Sequence, residues 1–168
     1  MRQLLAGLLL ASAAVVVAAG EQAKATLNNA QGQTVGEATL VETPHGVLIH
    51  VTLTRAPAGA HAFHIHATGK CEPPFTSAAG HFNPANKQHG VQNPMGMHAG
   101  DLPNIVVHSS GVLTFDVVDH DVTLGPGKNS LLDTDGSALV IHDKADDYKS
   151  DPAGNAGDRV ICGVITKS

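Results

Sequence analysis

Seven side chains in this sequence have types and spacings suited to holding metal ions: His64, His66, His81, His89, His98, Asp101 and His142. His64 and His66 form an H-x-H pair inside an apolar segment. Residues two apart on a strand point the same way, so both imidazoles can reach one ion. Alone, such a pair could equally be a polar strip. His81, His89 and His98, followed by Asp101, offer three nitrogens and one carboxylate oxygen, the donor set of a tetrahedral zinc site. A solvated histidine-rich loop would read similarly, and H-x-x-D also occurs in ordinary turns; the two clusters together favour metal. An all-imidazole set suits copper, which heads the affinity order of the divalent metals, and a set with a carboxylate and no thiolate suits zinc. Copper brings a one-electron couple and zinc brings none, so the pair points to one-electron redox chemistry beside a structural ion.

Short strands must position these residues. Segments rich in Val, Ile, Leu and Thr run from Ala23 to Asn28, Val35 to Glu42, Gly46 to Thr54, Ala62 to His66, Asn104 to Val107, Val112 to Val118, Ala138 to His142 and Val160 to Thr166. In the third, Val47, Ile49, Val51 and Leu53 fall on one face and His50, Thr52 and Thr54 on the other, the period of a half-buried strand. Eight such segments separated by Gly, Pro, Asn and Asp predict an all-β fold, an eight-stranded antiparallel barrel or sandwich. Two stretches are too long for turns: Ala67 to Pro103 and Asp143 to Gly157, each starting directly after a histidine-bearing strand. Long connections in compact domains usually carry function, so these are the expected functional loops. No repeat or linker divides the chain, and residues 21–168 read as one domain.

The first 20 residues read as an export signal. Arg2 gives the positive start, Leu4 to Val17 is an uncharged apolar run, and Val17-Ala18-Ala19-Gly20 offers small residues to a peptidase. The run is shorter than the roughly 20 residues that span a bilayer. This reading places the mature protein in the periplasm or outside the cell, with no membrane attachment. In that setting Cys71 and Cys162 are expected to form a disulfide rather than stay free, and neither belongs to a C-x-x-C zinc pair. The formal net charge is −5 and there is no basic run or tryptophan, so nucleic acid binding has no footing. An acidic chain also repels anions on average, so an anionic substrate would need a local positive field.

Beyond these readings, Ala62-Phe63-His64-Ile65-His66, Gly80-His81-Phe82-Asn83-Pro84, His98-Ala99-Gly100-Asp101-Leu102, Val140 to Asp147, and Gly154 to Ile165 closely resemble copper/zinc superoxide dismutase, over nearly the whole mature chain. The resemblance implies a Greek-key barrel whose substrate is superoxide. It implies copper on His64, His66, His81 and His142, and zinc on His81, His89, His98 and Asp101, with His81 bridging the two metals. It implies Asp146 as an acceptor from His64 and His89, Arg159 beside the copper, and a Cys71–Cys162 disulfide tying the long loop to the last strand. His81 would also relay protons. His61 matches a structural position in the family, while His45, His50, His108 and His120 are ordinary surface or structural residues.

Two departures stand out. The segment from Cys71 to His81 is longer than in the eukaryotic cytosolic pattern and similar to the bacterial periplasmic branch, and the loop from His142 to Arg159 is shorter. The family's guiding charges in that loop do not transfer, leaving Lys144 and Lys149 as candidates against ordinary loop charges. A homodimer and a copper metallochaperone are the protein partners the resemblance raises. The competing reading is a metal-binding module on the same fold; the complete set of histidines at the copper positions and the presence of Arg159 favour the enzyme.

Overall fold

The computed structural model describes residues 20–168. The expected export segment lies outside these residues apart from Gly20. The strands are β1 (Gln22–Asn29), β2 (Thr34–Thr43), β3 (Gly46–Leu53), β4 (Gly59–His61), β5 (Phe63–His66), β6 (Ile105–Val107), β7 (Leu113–Asp119), β8 (Ala138–His142), β9 (Arg159–Val164) and β10 (Thr166–Lys167). The main antiparallel sheet runs β5-β8-β9-β1-β2-β3-β7, with β10 paired to β1, and β4 and β6 form a separate pair. The chain leaves β3 for the far end of the sheet at β5 and returns beside β3 as β7, a Greek-key path. The two ends of the sheet meet through side chains: the rings of Phe63 on β5 and Phe115 on β7 lie edge to face, 5.5 Å apart.

Alternation explains the core. Val47, Ile49, Val51 and Leu53 are fully buried on β3, as their period requires, and they share one core with Leu27, Leu40, Ile65, Leu139 and Ile141 of β1, β2, β5 and β8. The eight expected segments all appear as strands; the last is subdivided, and β4 lies just before the fourth, outside every expected segment. Ala62 separates β4 from β5, because its carbonyl accepts from His142 N and its N–H donates to Lys144 O instead of continuing a ladder. Ile165 separates β9 from β10 by donating to Ser137 O.

Three long connections join these strands. Two are the expected loops. The third, between β7 and β8, contributes Val122, Leu124 and Leu131 to the main core and holds none of the seven candidate ligands. The first loop has its own small core: Phe75 and Ala78 pack with Ala138, Val140 and Cys162, with Cys71 alongside. Cys71 and Cys162 are joined as a disulfide there, across a sequence separation of 91.

Candidate metal centre

His64 and His66 sit on β5, paired with Val140 and Ala138 of β8, so their shared face is set by the sheet. His142 ends β8 at a shift of register against β9, between Ile141 and His142. Such irregularities re-aim a side chain, and this one turns His142 toward the β5 histidines. The long loop returns twice to β5: His81 bridges to His66, and Asp101 bridges to His64. Hydrogen bonds from Phe82 N to Ile65 O and from Ile65 N to Gly100 O fix both returns. Position 100 needs glycine, because a Cβ there would overlap the Ile65 carbonyl.

The result is two buried clusters that share one ring. In the first, ligand-type atoms of His64, His66, His81 and His142 lie within 4.8 Å of one another; in the second, those of His81, His89, His98 and Asp101 do. The outward contacts of each ring show which nitrogen faces the centre. His66 Nδ1 donates to Ala79 O at 3.0 Å and His142 Nδ1 to Gly157 O at 3.3 Å, leaving their Nε2 atoms 3.4 Å apart. His64 Nε2 donates to Asp146 Oδ2 at 3.0 Å, and its Nδ1 is buried with no partner. His81 Nε2 is likewise buried with no partner. Inward lone pairs without protein donors are what a cation would satisfy, so the four-histidine group fits copper.

In the second cluster, Nδ1 of His81, His89 and His98 lies 2.7, 3.0 and 3.2 Å from Asp101 Oδ1. Asp101 Oδ2 is occupied by the N–H groups of Gly90 and His98, which aim Oδ1 inward. This donor set fits zinc. Asp146 links the clusters from behind, accepting from His64 Nε2 on Oδ2 and from His89 Nε2 on Oδ1 at 2.9 Å. Those two bonds leave Nδ1 of each ring for the centre, the outer-shell role by which carboxylates orient metal-binding histidines.

Electrostatics follow the same division. Burial, followed by the neighbouring His81, lowers His66 to about 2. Burial and then His64 lower His142 to about 3. Burial lowers His81 to about 4, against the opposing pull of Asp101. These rings are neutral at ordinary pH and present lone pairs. His89 goes the other way: burial would lower it, but hydrogen bonds to Asp101 and Asp146 outweigh that and raise it to about 9. Despite burial, their histidine partners hold both Asp101 and Asp146 well below the usual carboxylate range.

Arg159 opens β9 opposite His142. It donates from Nη1 to Phe75 O and from Nη2 to Ala79 O, both at 2.6 Å. The Ala79 carbonyl thus accepts from both Arg159 and His66, which places the guanidinium beside the four-histidine group.

The chain matches the family described as copper/zinc superoxide dismutase over residues 34–165. The chain belongs to the copper/zinc superoxide dismutase family. It is 51% identical to superoxide dismutase [Cu-Zn] 2 of Aquifex aeolicus, over 96% of this chain and 98% of that one. A crystal structure of a SOD-like protein from Bacillus subtilis superposes with a TM-score of 0.80 at 42% identity, covering 84% of this chain and 96% of that one. The Cu/Zn superoxide dismutase from Brucella abortus gives 0.71 at 27% identity, covering 87% of this chain and all of that one. The family uses copper and zinc, in keeping with the two donor sets.

The structure brings together all seven candidate ligands, Asp146 and Arg159. His45, His50, His108 and His120 are exposed and outside the clusters. His61 is buried but spans two carbonyls, with Nδ1 2.8 Å from His142 O and Nε2 2.9 Å from Pro57 O. The sequence alone assigns no role to three supporting residues. Asn104 brackets Asp146, donating to its carbonyl and accepting from its N–H, and the Tyr148 hydroxyl accepts from Asn104 N. Gly154, at φ +63°, lies where a Cβ would overlap the Asp146 carboxylate. These partners are distant in sequence, so only the D-x-Y spacing from Asp146 to Tyr148 hints at them.

Proposed function

We propose that this chain converts two superoxide anions and two protons into dioxygen and hydrogen peroxide. In this reading His64 Nδ1, His66 Nε2, His81 Nε2 and His142 Nε2 hold copper. Nδ1 of His81, His89 and His98 holds zinc together with Asp101. Copper, when bound, supplies a one-electron couple that successive superoxide ions reduce and reoxidise, and zinc supplies fixed charge without redox change. The observation that carries the reading is His81: its Nδ1 faces Asp101 in one cluster, while its Nε2 is buried without a partner in the other.

His81 Nε2 is the atom that takes up a proton and passes it to the departing peroxide. With zinc on Nδ1 the ring stays neutral when Nε2 carries a proton, and Nε2 is buried with no protein acceptor to compete for that proton. The zinc-side contacts keep the ring in place while this happens. Arg159 uses two of its five N–H groups on loop carbonyls, and the others can meet an arriving anion. Its guanidinium remains charged at any working pH.

The same reading makes residues 1–20 an export signal and 21–168 the enzyme domain, acting in the periplasm or outside the cell. No helix among the described residues is long and apolar enough to cross a membrane. Sedimentation of the mature protein decides between a monomer and a homodimer, and copper transfer from a metallochaperone tests the delivery route. The enzymatic claim is tested by loading the protein with copper and zinc, dialysing it and following superoxide decay. Copper-proportional turnover after dialysis is expected; tightly held copper without turnover would leave a metal-binding module.

A further inference from the structure

The described residues contain only two arginines, Arg55 and Arg159, and both line one cavity of about 690 Å³. Arg159 is accounted for by its two carbonyl acceptors. Arg55 is not: among the described residues its exposed guanidinium has no ion pair and no hydrogen bond. Asn29, Gln31, Thr76 and Asp158 supply the rest of its polar wall. The cavity lies between the β1–β2 turn, the loop after β3, the disulfide-bearing segment and the start of β9.

The backbone carrying Arg55 is firmly held. Ala56 N donates to Gly111 O at 3.0 Å, and the His61 ring spans Pro57 O and His142 O. The Arg55 loop is thereby tied to the end of β8, which carries one of the four histidines of the copper-type cluster. A cation without a protein partner, on a braced loop, sharing a cavity with the arginine beside that cluster, is arranged to receive an anion. Lys144 and Lys149 do not line this cavity. The Lys144 stem lies near Gly157 at its edge, while the backbone of Lys149 abuts Gly90 on the other cluster's loop.

We infer that Arg55 and Arg159 form one anion vestibule, and that Arg55 is a positioning residue that gathers superoxide ahead of the copper site. This rests on the dismutase reading for its substrate, but not for its anion binding. The cavity is far larger than superoxide, so the vestibule also takes small oxyanions such as inorganic phosphate. Asp158 limits the field but leaves the two arginines in excess.

The test uses the copper- and zinc-loaded protein and three variants: Arg55→Gln, Arg55→Lys and, as a control, Lys128→Gln. Lys128 is exposed in the β7–β8 connection, whose Leu124 lines a pocket with Glu21 beside the start of β1, whereas the vestibule adjoins Asn29 at its other end. Two quantities are measured: the bimolecular rate with superoxide against salt, and phosphate binding by phosphorus NMR at constant ionic strength. Arg55→Gln should lower the low-salt rate by about twofold, flatten its salt dependence and weaken phosphate binding, with copper content unchanged. Arg55→Lys should restore most of the slope, and Lys128→Gln should match the parent. An Arg55→Gln protein with parental slope and phosphate affinity would overturn the inference, as would an equal effect of Lys128→Gln. If the parent bound phosphate through Arg55 but did not turn over superoxide, the dismutase reading would fail while the vestibule stood.

Discussion

Asp146 shows how much one carboxylate decides at the residue scale. Each of its oxygens accepts from a different ring, His64 Nε2 and His89 Nε2, and so fixes Nδ1 of each as the inward atom. In Asp146→Asn one of those oxygens becomes an amide donor. The ring facing it must then turn or move its proton to Nδ1, the atom assigned to metal. Zinc affinity should fall by roughly 10–100-fold, as is typical when such an orienting partner is lost; unchanged affinity in a competition titration would refute the assignment. His89 makes a second prediction. With no metal it is held at about 9 between Asp101 and Asp146, so below that pH zinc must displace a proton from it. Apparent zinc affinity should rise with pH up to about 9, with proton release on binding. Calorimetry in buffers of different ionisation enthalpy measures that release, and its absence at neutral pH would contradict the proton's location.

At the scale of elements, the disulfide-bearing segment links a covalent bond to the site. Cys71–Cys162 and buried Phe75 pin this segment against β8 and β9, and the same segment presents the Phe75 and Ala79 carbonyls to Arg159 and His66. Reduction should therefore loosen the 67–103 loop, lower metal retention and cost about 4–5 kcal/mol of stability on the chain-entropy view. Thermal unfolding with and without reductant checks this, and equal midpoints would contradict it. The strands were legible from sequence because each carries its own period: β3 alternates without exception. The ligands were legible because H-x-H and the loop spacings are local. What was not legible is contact between distant segments, such as Asn104 with Asp146, or the short β4, whose three residues have no apolar alternation. The length of the β7–β8 connection likewise conceals that it packs core residues and holds none of the seven candidate ligands.

For the whole molecule, the metal clusters burden the metal-free fold. His66, His142 and His81 are held at about 2, 3 and 4, below their ordinary 6.5 in an unfolded chain. Their contribution to stability is present above pH 6.5 and is lost as pH falls to about 4 for His81, about 3 for His142 and about 2 for His66. His89, raised to about 9, acts oppositely: its contribution is full below 6.5 and fades as pH rises through 9. Below 6.5 His89 no longer changes, and the three rings outweigh the one opposing group, Asp119, which burial raises to about 7, so the metal-free protein should lose thermal stability from pH 6.5 downward, more steeply than the metal-loaded form; a flat midpoint over that range would contradict the burial argument. The central claim is that His81 joins two metal sites into one dismutase. Superoxide dismutases are an established example of turnover at the diffusional ceiling, so pulse radiolysis has the range to test it. The decisive measurement compares parent and His81→Ala proteins, each shown by metal analysis to carry copper and zinc. The account predicts rapid, copper-proportional decay of superoxide for the parent and loss of most of that rate for the variant. Parental turnover by fully loaded His81→Ala would contradict it.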